Sequence, residues 1–400
     1  MIFVVIIIAL LAADVLWWRW AYHVLGRAPH ARYWRFALGL FMSVMLGYLL
    51  IFMVAPGYGR RSYTIIPQPV LAMIYLWHLL VMPFTALVAL VVAILRGIVR
   101  ISACSRRACS PSSDPKEAAS KLAGYTQSGG PTRREILAAS IVAVPPLIAG
   151  GLTARAMAHL TDLRVRRFDL ALPNLPPNLD GVTIAQVSDT HIGRFTRKGS
   201  LDRIVEMTNQ LRADLVLFTG DLIDISLADL PRGIEMLHKL DPRAGLYLIE
   251  GNHDLIDDKT VFERTMKSTN IPTLLNESTR VKVRGETIQL LGTRWTHGND
   301  NIRRMTESVP ADPNAFSILM AHHPHAFDYT TADLTLSGHT HGGQIMLNER
   351  LGFGPAMFRY WSGLYEKGNR KLIVSNGTGN WFPLRINAPA EIVHLTLHRA

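Results

Sequence analysis

Val182-Thr183-Ile184-Ala185-Gln186-Val187-Ser188-Asp189-Thr190-His191 is an apolar, β-branched run that stops abruptly on a carboxylate and an imidazole. Its composition predicts a buried strand over 182–188, with Asp189 and His191 just beyond its carboxyl end. The same pattern recurs downstream. Leu217-Phe218-Thr219 leads into Gly220-Asp221-Leu222-Ile223-Asp224, and Leu248-Ile249-Glu250 into Gly251-Asn252-His253-Asp254. Leu319-Met320-Ala321 leads into His322-His323-Pro324, and Thr335-Leu336-Ser337 into Gly338-His339-Thr340-His341.

Further strands are expected at 215–219, 246–250, 288–291, 316–321, 334–337, 372–375 and 392–397. Helices are expected at 201–212, capped by Ser200, and at 230–240. Strands interleaved with helices predict an α/β domain over 160–400. Open α/β sheets bind ligands along the edge formed by their strands' carboxyl ends, so the five polar clusters are expected to meet there.

Asp189, His191, Asp221, Asn252, His322, His339 and His341 together offer carboxylate, imidazole and amide oxygen without thiolate. That mixture suits manganese, iron or zinc and disfavours copper(I) or a calcium cage. Seven ligands exceed the needs of one ion. With one carboxylate shared, they match two divalent ions about 3.5–4 Å apart, the spacing used for in-line displacement at phosphorus. A lone Asp-x-His or Gly-Asp is common by chance; the inference rests on the whole ordered set.

On these residues the chain resembles the calcineurin-like metallophosphoesterase superfamily, and its membrane-linked layout resembles the bacterial transmembrane or exported phosphodiesterases. The resemblance implies a four-layer sandwich of two mixed β-sheets flanked by helices. It implies one metal held by Asp189, His191, Asp221 and His341, and another by Asp221, Asn252, His322 and His339. It makes His253 the catalytic histidine, oriented by Asp254. The implied activity is hydrolysis of a phosphodiester, phosphomonoester or pyrophosphate by metal-activated water, on a phosphoester substrate for which a lipid-linked form is one option. Some relatives cleave the pyrophosphate of UDP-2,3-diacylglucosamine, and a non-catalytic membrane sensor or scaffold is the alternative of another class. Asp224 is expected either to orient a metal ligand or to cap a helix.

The first 155 residues carry 15 Lys/Arg and 4 Asp/Glu, leaving 27 of each sign for the remainder. The excess positive charge therefore lies beside apolar stretches, while the motif-bearing part is neutral. Membrane topology explains this split better than a nucleic-acid partner, and none is expected. Apolar stretches at 2–18, 36–55, 70–95 and 136–155 approach the length that spans a bilayer. The fourth is interrupted by Pro145, Pro146, Gly150 and Gly151. Asp14 is expected near a helix end, and His78 is expected to bond to a neighbouring helix.

Basic loops after the first and third stretches put both in the cytoplasm. A fourth span then carries the catalytic domain to the extracytoplasmic side of a bacterial inner membrane. Thr132-Arg133-Arg134-Glu135-Ile136-Leu137 reads as an internal twin-arginine signal or as an ordinary basic flank. Residues 102–135 form a basic linker rich in Ser, Gly and Pro, with Cys104 and Cys109 as free thiols.

Of the remaining residues, Arg194 and Arg197 are candidates to pair with a substrate phosphate. His297 reads either as a substrate contact or as a solvent-exposed loop residue. Gly377-Thr378-Gly379-Asn380-Trp381-Phe382-Pro383-Leu384-Arg385 is rich in turn formers and aromatics. It is expected to form the mouth of the site, to face lipid, or to close the domain.

Overall fold

In the computed structural model, residues 2–26, 28, 30–54, 66–107, 132–348, 351–352 and 358–400 are described. Most of the expected linker, with Cys109, lies outside them. The chain divides into two compact units, Met1–Ala154 and Arg155–Ala400.

Among its described residues the first unit's regular elements are helical: α1 (Ile2–Leu25), α2 (Ala31–Val54), α3 (Gln68–Leu76), α4 (Met82–Arg107) and most of α5 (Arg133–Ala158). Four segments, Val5–Leu25, Ala31–Ile51, Gln68–Val99 and Ala139–Ala158, are long and apolar enough to cross a membrane. A wide π-turn, Trp77–Val81, joins α3 to α4. It precedes Pro83, which has no N–H for a regular helical bond, and a widened turn accommodates that loss. The interruption expected at Pro145 and Pro146 does not occur. α5 runs unbroken through both prolines, whose missing donors leave the remaining ladder to hold the helix.

Asp14 departs from its expected place. It is fully buried, and its Oδ1 accepts the Trp77 indole N–H at 2.8 Å. Its Oδ2 meets His78 Nε2 at 2.9 Å. His78 Nδ1 lies 2.8 Å from the Ile74 carbonyl, which can only accept, so that nitrogen carries a proton. The polar side chains satisfy one another within an apolar helical unit, where unpaired groups are costly.

The second unit holds two mixed sheets. The first has strand order β1 (Leu163–Leu172), β13 (Ala390–Arg399), β2 (Thr183–Val187), β3 (Leu215–Thr219), β4 (Gly245–Ile249). The second runs β11 (Gly363–Lys367), β12 (Arg370–Val374), β8 (Leu334–Ser337), β7 (Phe316–Met320), β6 (Glu286–Gly292), β5 (Glu277–Val283). A small ribbon pairs β9 (Met346–Asn348) with β10 (Leu351–Gly352).

Strands β2, β3 and β4 are parallel, as are β6, β7, β8 and β12. Leu215 and Leu217 of β3 face Ile318, Met320 and Leu336 of the second sheet in one buried cluster. Val216 and Phe218 point the other way, against α6 (Lys198–Gln210), α7 (Leu230–His238) and α8 (Lys259–Lys267). Leu291 and Leu319 pack beneath α9 (Asn299–Glu307). Both faces of each central strand are covered, which explains their nearly continuous apolar sequences. The second unit is the expected four-layer α/β arrangement, preceded in the sequence by a region of apolar helices.

Asp14→Ala would leave the Trp77 N–H and one His78 nitrogen unpartnered in an apolar interior, at about 1–3 kcal/mol for such a group. The full chain in detergent is expected to melt measurably lower with Asp14→Ala but not with the exposed control Leu16→Ala. Equal melting of the two variants would contradict the pairing.

Candidate metal centre

Each motif turns sharply where its strand ends. Asp189, His191, Asp221, His339 and His341 all have positive φ, between 43° and 71°. Non-glycine residues reach this region only at a cost of about 1–3 kcal/mol each, and such strain concentrates at functional sites. Two neighbouring glycines are required by space rather than by φ. A Cβ on Gly251 would lie 2.2 Å from Asp221 Oδ1, and one on Gly338 would lie 2.1 Å from Asp189 Oδ2.

The turns bring the expected ligands together. His191 Nε2 lies 2.9 Å from His341 Nε2, and His341 Nε2 lies 3.2 Å from Asp189 Oδ1. Asp221 Oδ2 is 3.1 Å from His322 Nε2 and 3.5 Å from His191 Nε2. His339 Nδ1 is 2.9 Å from Asn252 Oδ1. Asp189, His191 and His341 form one cluster of converging donor atoms, and Asp221, His322 and His339 form another.

The donor set fits divalent metal ions on a specific observation. His322 Nδ1 donates to the Thr219 carbonyl at 2.7 Å, so Nε2 is the nitrogen turned to the aspartates. That Nε2 is buried and has no hydrogen-bond partner. A buried imidazole nitrogen that faces a carboxylate oxygen without an aligned hydrogen bond marks a place a cation can fill.

The electrostatics agree. Burial alone would raise the two aspartates, but His322 and His191 hold Asp221 well below the usual carboxylate range, as His341 and His322 do for Asp189. Burial lowers His339 well below its ordinary value and His341 to about 4, leaving neutral imidazoles able to ligate. Burial works against a charge on His322 too, yet Asp221 and Asp189 lift it to about 9, so their charge holds a proton on Nε2 where a bound cation would take its place.

His253 sits beside these groups, its ring centroid 4.4 Å from that of His191. Its Nδ1 is 2.6 Å from the Asp224 carbonyl and 3.3 Å from Asp224 Oδ1. Despite burial, Asp224 and Asp221 push its pKa up to about 9. Asp224 Oδ1 also lies 3.4 Å from His191 Nδ1, so one carboxylate steadies two histidines.

The orienting role expected of Asp254 is therefore corrected. Asp254 Oδ2 accepts the N–H groups of Asp221 and Gly251, and Oδ1 those of Leu222 and Ile223. Burial and the Asp221 charge push Asp254 up to about 7. Four donors nevertheless fill all four lone-pair directions, leaving no place for a proton. The carboxylate ties the 220–223 turn to the 251–254 turn, and Asp224 is the acid that faces His253.

Arg194 lies over the Phe195 ring, 5.2 Å from its centroid, and its carbonyl accepts from Arg197 Nε. His323 stacks on Trp295, and His297 is exposed. The 377–385 segment walls the centre: Thr378 N–H donates to the Ser188 carbonyl at 2.8 Å and Gly379 N–H to that of Asp189 at 2.9 Å. Trp381 lies 6.0 Å from His253 and 6.4 Å from His341 between ring centroids.

Arg385, buried and left out of the sequence-based site, holds this wall. It donates to the carbonyls of Asn376, Gly379 and Ala388 and to Asn380 Oδ1. Its Nη2 is 3.4 Å from His341 Nδ1. A lone arginine after a Gly-rich turn was its only sequence signal.

Two facing mixed sheets with aspartates and histidines gathered at their strand ends define a metallophosphoesterase. The pattern of the calcineurin-like phosphoesterases matches residues 182–343. An uncharacterized metallophosphoesterase of Bacillus subtilis is 30% identical, over 56% of this chain and 81% of its own length. This chain belongs to that family.

A transmembrane protein with metallophosphoesterase domain from Danio rerio is 32% identical, over 70% of this chain and 66% of its own. An uncharacterized metallophosphoesterase of Campylobacter jejuni is 33% identical, over 58% and 63%. The chain thus spans a little under two thirds of these two relatives. A solved dimetal phosphatase from Danio rerio is similar at 11% identity and a TM-score of 0.32, over 50% of this chain and 88% of its own.

Asp254→Asn replaces an acceptor-only group by one bearing N–H donors, so at least two backbone N–H groups lose a partner at about 1–3 kcal/mol each. We expect a lower melting temperature and reduced metal retention by elemental analysis. A variant that keeps both would show that the four bonds do not hold the two turns.

Proposed function

We infer that the chain is a membrane-anchored phosphoester hydrolase using two divalent ions, of manganese, iron or zinc. The observation that carries this reading is the convergence of seven ligand-type side chains from five strand-end turns. Asp189, His191, Asp221 and His341 would hold one ion, and Asp221, Asn252, His322 and His339 the other. Asp221 suits the shared position because Oδ2 faces histidines of both groups. Such ions supply Lewis acidity, lowering the pKa of water and offsetting charge at phosphorus.

The protein's own groups do the rest. His253 Nδ1 faces a carbonyl that can only accept, so Nδ1 keeps its proton and Nε2 is the position that exchanges one. Held by Asp224, it is placed to protonate the leaving oxygen. The buried turns around Asp189 and Asp221 keep the carboxylates fixed and dry, which strengthens their electrostatic effect.

The charge bias of the first 155 residues supports a catalytic unit on the extracytoplasmic face of a bacterial inner membrane. A topology reporter fused after Ala400 tests that side. Activity of a cytoplasm-only reporter would overturn the orientation and reopen the UDP-linked lipid substrate.

The full chain, stripped of metal and reloaded with manganese, iron or zinc, is expected to hydrolyse bis(p-nitrophenyl) phosphate only when reloaded. His253→Gln should lower kcat by about 10²–10⁴-fold. Asp221→Asn should abolish turnover and lower bound metal. An unimpaired Asp221→Asn enzyme would contradict the ligand assignment.

A further inference from the structure

Among the described residues of the second unit the large exposed apolar ones are Ile256, Leu347, Leu351, Leu364 and Trp381. Leu347 and Leu351 are 72% and 53% exposed on the small ribbon, and Trp381 is 43% exposed. Single exposed leucines need no explanation, but these three share a tether.

Arg155, the first residue of this unit, lies in the closing turns of the apolar segment Ala139–Ala158. Its Nη2 donates to Asn387 Oδ1 at 2.8 Å. Asn387 Nδ2 in turn donates to the carbonyls of Met346 and Leu347, at 3.0 and 3.3 Å. Asn380, beside Trp381, donates to the Leu160 carbonyl at 3.0 Å. The ribbon and the Trp381 turn are thus both pinned to residues 155–160, where the apolar segment ends.

The same pieces bound the metal centre. The ribbon starts five residues after His341, and Trp381 flanks His253 and His341. We propose that Leu347, Leu351 and Trp381 form a membrane-contact edge that sits in the lipid headgroup region and opens the metal centre toward the bilayer surface. Apolar and tryptophan side chains favour that layer, and the fourth apolar segment ends where the edge is pinned. The substrate class that follows is an amphiphilic phosphoester presented at the lipid surface. That second step rests on the hydrolase reading; the lipid contact does not.

The test uses the full chain in phosphatidylcholine vesicles, with Cys104 and Cys109 changed to serine. A polarity-sensitive fluorophore is attached at Leu347→Cys or, as control, at Lys282→Cys on the exposed far-edge strand β5. Lipids carrying a nitroxide near the headgroup should quench the Leu347 label roughly two-fold more than the Lys282 label, since interfacial groups sit about 5–10 Å deep. Equal quenching at both positions overturns the proposal, as does a shielded label at 347 that lipid nitroxides do not reach, the signature of a protein partner or second copy.

In a second arm, the double variant Leu347→Glu/Leu351→Glu should lose roughly ten-fold against a vesicle-borne aryl phosphodiester while keeping its rate on bis(p-nitrophenyl) phosphate. Equal rates of variant and unmodified chain on the vesicle substrate overturn the substrate class. Failure of the unmodified chain on the soluble ester would instead sink the hydrolase reading, leaving lipid quenching to decide the contact.

Discussion

Burying the Asp221 carboxylate is what the second unit is built around. It lies between His191 and His322, with Oδ1 accepting the His253 N–H at 2.7 Å and Oδ2 turned to both histidines. A carboxylate removed from water must be paired, and here it is paired by imidazoles from two different strand ends. Neither strand order nor turn conformation is free once that is required. The positive φ at Asp221, the missing Cβ at Gly251 and the carboxylate clamp of Asp254 are all conditions for holding one oxygen pair in place.

The two sheets make this affordable in free energy. Their shared apolar layer joins Leu217 to Leu336 and Met320, so the carboxyl ends of β3, β7 and β8 lie on one rim. Strain at five ligand positions is borne by that layer rather than by the turns themselves. Arg385 extends the same logic to the 376–388 segment, where one guanidinium collects three carbonyls and a side-chain amide into a wall beside His341.

Much of the site was legible because each ligand is local to its strand end: a β-branched run followed by Asp, His or Gly signals both the turn and the donor. What failed was the naming of particular distant partners: His78 bonds to a neighbouring helix as expected, but its partner, Asp14, was expected near a helix end. Asp14 and His78 are 64 residues apart, and only helix packing pairs them. Asp254 follows His253 directly, yet in the tight turn His253–Leu255 its carboxylate points back to backbone N–H groups, while Asp224 arrives from another loop. Strand β1 was not among the expected strands: it is an edge strand carrying Arg164, Arg166 and Arg167, and Arg164 and Arg166 pair with the buried Glu391.

β13 inserts between β1 and β2 although it follows every other strand in the sequence. Until residues 390–399 have left the ribosome, β1 has no partner in its sheet, and β2 lacks a neighbour on one side. Glu391 meanwhile cannot anchor the 376 turn that walls the metal centre. The first sheet therefore closes only once β13 has emerged, and a ribosome stalled short of residue 390 would display an open sheet edge to whatever machinery meets it.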